Sequence, residues 1–481
     1  MVHGMSDARR FWQETHHCFD PSEPVTIDQS WLHAERDPRY NPIAQIERQL
    51  RHVSQDRSRF LLTGAVGNGK TSELNHFASK LTQSRIVVLV DLWEHVQNNV
   101  RDQNALDRLE MWELLGLIGV AIYRAGEDSL GHQWKDEPKL LQRALESLRA
   151  AEGNGDGAEI DLVKLARGMT VAAGGVMGAV LGGPVGAAAG AAIGETATEG
   201  GTALVKAVAD SSRWTWKVGL PGTRPRGDQD GELRQVLNAV NRLIMSLQHS
   251  YARPLLVVID GLDRIRDEER TRALFIDSLM LSELDCDALI TAPVMLMRRQ
   301  GQSVDHFIVK DLNNIPVLDR DAPASPGPGL AFFRDLVARR VAWIGETLAS
   351  AGLTPPPAPF PVEIVDQLAY YSGGLAREFI NLVRLAAIES LDRGVEQLDR
   401  DVLQRTLREA RTHREYYMTK AEIELLERVM RDPDRELPGD ELALTLLQQR
   451  RLLAYPNETT WYYPHPLLTL ALLKPERGSK K

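Results

Sequence analysis

The residues with the plainest chemical purpose are Gly64-Ala65-Val66-Gly67-Asn68-Gly69-Lys70-Thr71. Glycines at this spacing let successive backbone N–H groups turn inward around an anion, at the positive end of the helix that follows. Lys70 would then reach the β- and γ-phosphates of a nucleoside triphosphate, and the Thr71 hydroxyl would ligate Mg²⁺. The bland alternative is a chance glycine-rich turn. Context decides between them: Phe60-Leu61-Leu62 precedes the loop, and Leu74, Phe77, Ala78 and Leu81 follow it at helical spacing. Strand, glycine loop, helix is the setting in which this pattern binds phosphate. The expected cofactors are ATP and Mg²⁺, and the expected binding residues are Gly64, Gly67, Asn68, Gly69, Lys70, Thr71 and the adjoining Ser72.

A second acid-bearing strand supports the first. Leu255-Leu256-Val257-Val258-Ile259-Asp260 is a buried apolar run ending in an acid, the pattern that places a carboxylate, here Asp260, beside Mg²⁺. Asp263 is the candidate to polarise an attacking water, because Gly261 stands where an acid next to Asp260 would be; hydrolysis is therefore expected to be slow. Ala288-Leu289-Ile290-Thr291 reads as the next strand, with Thr291 at its end, where it serves as a γ-phosphate sensor or as an ordinary turn residue.

The elements that must position these residues read as α/β. The strand Arg85 to Asp91 is too uniformly apolar for a one-sided sheet. Ile43, Ile46, Leu50 and Val53 recur at helical spacing before the first strand, and Leu106–Tyr123, Leu140–Leu148 and Leu233–Leu247 read as helices. Phe11 to Pro42 reads as mixed and rich in turn formers, with His16-His17 a surface pair rather than a metal site. Ile308-Val309 and Ile315 to Leu318 read as short extended pieces. The chain has 481 residues, enough for several domains, and a net charge of −9, which offers no overall basic field for nucleic acid or acidic lipid. Its 2 cysteines, Cys18 and Cys286, suit a reducing cytosol, and the first residues have no apolar stretch resembling a signal peptide.

From Met169 to Gly194 there is no charged residue, and Gly174, Gly178, Gly182, Gly186, Gly190 and Gly194 recur at every fourth position. Helical periodicity puts them on one drifting seam where backbones approach closely, and the run would span roughly 39 Å as a helix. Pro184 falls inside it, and glycine is a poor helix former in water. Two readings stand: a segment that oligomerises or inserts in the inner membrane, or a soluble glycine–alanine insertion.

In this order, Gly64 to Thr71, Asp260-Gly261-Leu262-Asp263-Arg264 and Thr291 resemble the additional-strand P-loop NTPases: AAA+ proteins and, nearby, the STAND and KAP families. The Asp-Gly-Leu-Asp form is similar to STAND switches. The Asp-x-x-Asp-Arg ending, with an apolar insertion between the two motifs, is similar to KAP NTPases, although these show two adjacent acids where this chain has Asp260-Gly261. The resemblance implies that the turn Ser372-Gly373-Gly374-Leu375-Ala376-Arg377 opens a lid helix and that Arg377 touches the γ-phosphate, against its being a surface arginine. It also implies that His465, in Tyr463-Pro464-His465-Pro466, contacts bound diphosphate, against its being a hydrogen-bonded turn residue.

Toward the end, two helices around Leu425 and Leu446 and strands at Leu452–Tyr455 and Trp461–Tyr463 read as a winged helix. Glu441 to Gln449 offers no cation before Arg450 and Arg451, which supports DNA binding poorly. The expected organisation is an N-terminal region over 1–55, a P-loop NTPase parallel sheet over 56–326 with a glycine-rich insertion at about 165–208, a helical lid over 327–412, a winged-helix-like α+β domain over 413–474 and a disordered tail over 475–481. The expected function is a cytoplasmic, oligomerising switch ATPase with an unidentified protein partner, resembling defence or signalling proteins, its output the inner-membrane contact of 169–194. The alternatives are a soluble AAA+ ATPase acting with DNA or a DNA-bound partner, and a nucleotide-dependent scaffold that never turns over.

Overall fold

The computed structural model describes residues 2–27, 29–52, 57–96, 102, 104–152, 159–161, 215–217, 230–298, 304, 306–456 and 460–473. The whole 165–208 insertion with its glycine repeat at 169–194, the loop at 153–157 and the tail at 475–481 lie outside them. The chain forms two compact units. One comprises Met1–Ala44, Ala65–Glu73 and Leu312–Lys481, the other Gln45–Gly64 and Leu74–Asp311.

The second unit holds β1 (Arg59–Thr63), β2 (Ile86–Asp91), β3 (Glu159–Asp161), β4 (Thr215–Lys217), β5 (Leu255–Asp260), β6 (Asp287–Thr291) and β7 (Ile308–Asp311). Five of them make a parallel sheet in the order β2-β5-β6-β1-β7. The apolar runs of the sequence predict β1, β2, β5 and β6: β5 and β6 are buried along their whole length, as a sheet covered on both faces requires. The short extended piece read at Ile308-Val309 is β7. It is the edge strand beside β1, and none of its four residues is fully buried, as one unpaired side allows. Helices Met111–Arg124 and Asp230–Tyr251 supply Leu114, Ile118, Val240 and Leu243 to the core around Val88, Val257 and Ile290. The helix expected over Leu106–Tyr123 is broken, with a 3₁₀ turn at Leu106–Arg108 before it begins at Met111.

A buried ion pair fixes the amino ends of the strands. The Arg85 guanidinium meets the Asp287 carboxylate and donates to the Leu50 carbonyl at 2.6 Å, while Asp287 accepts from the Ser58 N–H at 2.8 Å. Register then carries through to the carboxyl ends. β3 and β4 pair antiparallel, so the chain leaves for and returns from 162–214 at one place.

In the first unit, the segment read as turn-rich begins with a helix, Val2–Cys18. Its few apolar residues sit on one face: Phe11 and Trp12 are buried with Phe19 against Phe360, and the Trp12 indole N–H donates to the Val395 carbonyl at 2.6 Å. This helix packs on Leu330–Ser350 and Ala376–Arg393, whose Phe333 and Phe379 rings meet at 4.5 Å. Helix Arg400–Glu415 follows, absent from the sequence reading. Then helices Lys420–Arg431 and Glu441–Gln448 pack with the antiparallel hairpin β8 (Leu452–Tyr455) and β9 (Trp461–Pro464) around Leu426, Leu446, Leu452 and Leu468.

The turn before Ala376 is the tightest point of this unit. Gly374 has φ +75°, and a Cβ there would lie 1.9 Å from the Ile315 carbonyl oxygen. The Ile315 N–H also donates to the Gly374 carbonyl at 3.0 Å. Replacing Gly374 by alanine is expected to cost about 3 kcal/mol or more, from strain at a left-handed residue plus backbone collision. Urea unfolding checks it; a change below ~1 kcal/mol would contradict this account.

Candidate functional site

The sheet brings the sequence-predicted acids and hydroxyls to one edge. β1 ends at Thr63, followed by Gly64; Leu62 pairs with Thr291, and Ile259 pairs with Ile290. One residue further, Asp260 and Thr291 terminate adjacent strands, so Gly64, Asp260 and Thr291 share the carboxyl edge of one sheet. This is the edge where α/β sheets bind ligands. Asp260 is buried and accepts from the Gly261 N–H at 2.8 Å. The Thr291 Oγ1 is buried without a hydrogen-bond partner, a polar atom whose solvation the protein itself does not replace. Asp263 lies half-buried in the 3₁₀ turn Leu262–Arg264.

Gly261 is explained by space. Its φ is +97°, and a Cβ would come 2.7 Å from the Trp93 nitrogen, in the short helical turn Leu92–His95 after β2. The Arg264 guanidinium in turn stacks on the Trp93 ring at 4.0 Å. A second acid directly after Asp260 has no room.

From Ala65 onward the loop belongs to the first unit. Gly64, Gly67 and Gly69 have φ of 144°, 96° and 84°, conformations that side chains resist and that turn backbone N–H groups to one side. Helix Lys70–Leu81 starts at the expected lysine, whose Nζ donates to the Ala65 carbonyl at 3.0 Å and so folds back over the loop. Asn68 donates through Nδ2 to the Leu312 carbonyl at 2.8 Å, leaving its Oδ1 buried and without a partner. Thr71 is half-buried. Ser72, expected at the nucleotide, has its Oγ accepting from the Val25 N–H at 3.1 Å. The Arg377 N–H donates to the Gly67 carbonyl at 3.0 Å, which sets the first turn of the lid helix on the loop.

Sequence reasoning missed what grips this loop. Glu73 is buried, accepting from Arg36 Nε at 3.0 Å and Asn41 Nδ2 at 3.2 Å, with His33 Nε2 at 3.6 Å. Arg36 also donates to the Asn68 carbonyl and, at 3.1 Å, to the Asn313 carbonyl. An acid in the first turn after a phosphate loop is a visible signal; its distant partners are not.

No family model matches the chain, and no curated protein matches it. Among solved structures it is similar to the Orc1 protein of Aeropyrum pernix in complex with DNA, at 10% identity over 90% of this chain and 91% of that one, with a TM-score of 0.37. It is similar to Drosophila ORC bound to DNA at 10% identity, 95% and 89% coverage and a TM-score of 0.37. A Walker-type ATPase of Pyrococcus abyssi gives 12% identity, 94% and 98% coverage and a TM-score of 0.37. At these scores no role passes from those proteins to a residue of this chain.

His465 is fully buried at the start of the short helix Pro466–Thr469, its Nδ1 accepting from the Leu467 N–H at 3.3 Å while Nε2 has no partner of hydrogen-bond geometry. Burial holds its pKa well below the usual imidazole value; Arg414 and Arg450 push the same way, and the Ser372 backbone opposes them. The unfolded chain takes up a proton near pH 6.5 that the folded chain refuses, so stability is full above that value and falls as pH drops below it. The share expected from this residue is about 1.4 kcal/mol per pH unit. Denaturant unfolding of wild type and His465→Asn between pH 7.5 and 5.5 checks it: the variant should show the shallower decline, and equal slopes would contradict the assignment.

Proposed function

We propose that this protein is an ATP-binding switch that hydrolyses slowly. The observation carrying this reading is the carboxyl edge of the sheet, where β1 runs into Gly64 and where Asp260 and Thr291 close neighbouring strands; in the other unit, Gly67 and Gly69 hold left-handed backbone just before the helix opening at Lys70. The residues fit a magnesium nucleotide: a glycine cradle in which a Cβ at Gly67 would meet Arg377 at 3.2 Å, and orphaned buried oxygens on Thr291 and Asn68.

Thr71 and Asp260 would hold Mg²⁺, which when bound neutralises charge on the β- and γ-phosphates. Lys70 would leave the Ala65 carbonyl for the same phosphates, and the loop N–H groups would bind phosphate oxygens without reorganising. Thr291 and Arg377 would contact the terminal phosphate, and Asp263 would orient water. With Gly261 sterically confined to glycine, only the more distant Asp263 serves as base, which supports long-lived bound states rather than rapid turnover. Changes of bound nucleotide would reach the lid helix through the Arg377 N–H on Gly67.

Output through 169–194, by oligomerisation or insertion in the inner membrane, rests on the glycine spacing alone. Among the described residues, no helix is long and apolar enough to cross a membrane. The paired β3 and β4 support treating 162–214 as an excursion. The DNA-associated alternative has less support: Arg451 is tied to Glu422 at 2.7 Å and Arg450 to Glu378 at 3.3 Å.

Light-scattering mass and nucleotide affinity with ATP and ADP test the reading. Wild type should bind ATP and assemble, while Lys70→Ala should lose at least about tenfold in affinity, about 1.4 kcal/mol. A wild type that binds no nucleotide would refute it, and one that binds without turnover would be the scaffold. Replacing 162–214 by Asn-Gly should preserve nucleotide binding, since a two-residue turn joins antiparallel strands, and should abolish ATP-dependent flotation with liposomes. Flotation that survives the deletion would move the membrane contact elsewhere.

A further inference from the structure

The winged-helix-like module places one arginine against the phosphate loop at a visible conformational cost. Arg450 follows the cap of helix Glu441–Gln448 with φ +59°, the left-handed position where helices usually end on glycine. A non-glycine residue in this region invites a functional explanation. Its guanidinium supplies one: Nη1 lies 3.6 Å from the point where a Cβ on Gly67 would stand.

The charges around it do not balance. Arg450 Nη1 is 3.3 Å from Glu378 Oε1, and Arg414 Nη2 is 2.8 Å from the same oxygen. Arg414 Nη1 also donates to the Arg450 carbonyl at 3.2 Å, fixing the strained residue in place. Two guanidinium groups on one carboxylate leave an excess positive charge beside a loop built for anions. Arg451, the next residue, points elsewhere, to Glu422 and the Tyr416 carbonyl.

We propose that Arg450 contacts the phosphate chain of the bound nucleotide, exchanging part of its pairing with Glu378 for phosphate oxygens and so tying the C-terminal helix–hairpin module to the nucleotide. The inference rests on the ATP-binding reading above. Glu378 retains Arg414 during the exchange, so its half-buried carboxylate is never left without a cation. A planar, permanently charged guanidinium suits a phosphate that is present in one state and shortened in another.

The full-length protein tests this with Arg450→Gly and Arg450→Lys. Glycine relieves the left-handed strain, so the thermal midpoint without nucleotide should stay level or rise. ATP affinity should fall about tenfold in Arg450→Gly and be largely recovered in Arg450→Lys. In wild type, ATP should slow hydrogen exchange over 441–456, and Arg450→Gly should lose that protection. If wild type binds ATP and Arg450→Gly binds it equally well, this inference is overturned and the ATP-binding reading stands. If wild type binds no ATP, both fall.

Discussion

A glycine-rich loop such as Gly64–Thr71 has little side-chain bulk to hold its shape, so its conformation depends on what grips its backbone. That grip is the buried Arg36 guanidinium, bonded at once to Glu73, to the Asn68 carbonyl inside the loop and to the Asn313 carbonyl beyond the sheet. Burial pulls the Arg36 pKa down and the Glu73 carboxylate pulls it back up. The pair is cohesive only because each charge has several partners: Glu73 also takes Asn41 and stands beside His33. Removing either partner would leave a buried charge uncompensated, an effect of about 3–5 kcal/mol in comparable sites. One cation thus joins the N-terminal segment, the phosphate loop and its helix, and residue 313 into a single object.

The arrangement of strand, glycine turn and helix around Gly64–Thr71 was legible from eight residues and their flanks because it is local, and local patterns survive without knowledge of the fold. The inner strands were legible for the same reason, being apolar enough to demand cover on both faces. β7 was not. This edge strand is short and half charged, Ile-Val-Lys-Asp, and its place beside β1 follows from a pairing across some 250 residues of chain. Helix Val2–Cys18 was hidden by its composition: it is held by three aromatic residues and an indole hydrogen bond to Val395, not by a continuous apolar stripe.

The candidate site divides along the same line. Lys70, Thr71, Asp260 and Thr291 could be named from motif and strand ends. Arg36 and Arg450 could not, because nothing in their own neighbourhoods sets them apart from other surface-type arginines. They acquire meaning through Glu73 and Glu378, 37 and 72 residues away by sequence position. The same contacts bear on the winged-helix reading. Glu441 to Gln449 carries no cation, and the fold ties the two arginines that follow, Arg450 and Arg451, to acids, which leaves that helix little charge to meet a phosphate backbone of DNA.

Gly261 shows how a sequence departure becomes a physical statement. Read alone, it is a missing acid in a motif that usually has one. In the fold it is a left-handed turn closed by the Trp93 backbone, and Arg264 stacked on the Trp93 ring leaves that backbone no freedom to withdraw. Inserting a carboxylate there would displace the turn that carries Asp263 rather than add a base beside Asp260. The geometry therefore ties the choice of glycine to the position of the remaining acid, and a protein built this way gains an ordered turn after Asp260 at the expense of a close catalytic base. On the proposed switch reading, where the bound state is the signal, slow loss of that state is the useful property.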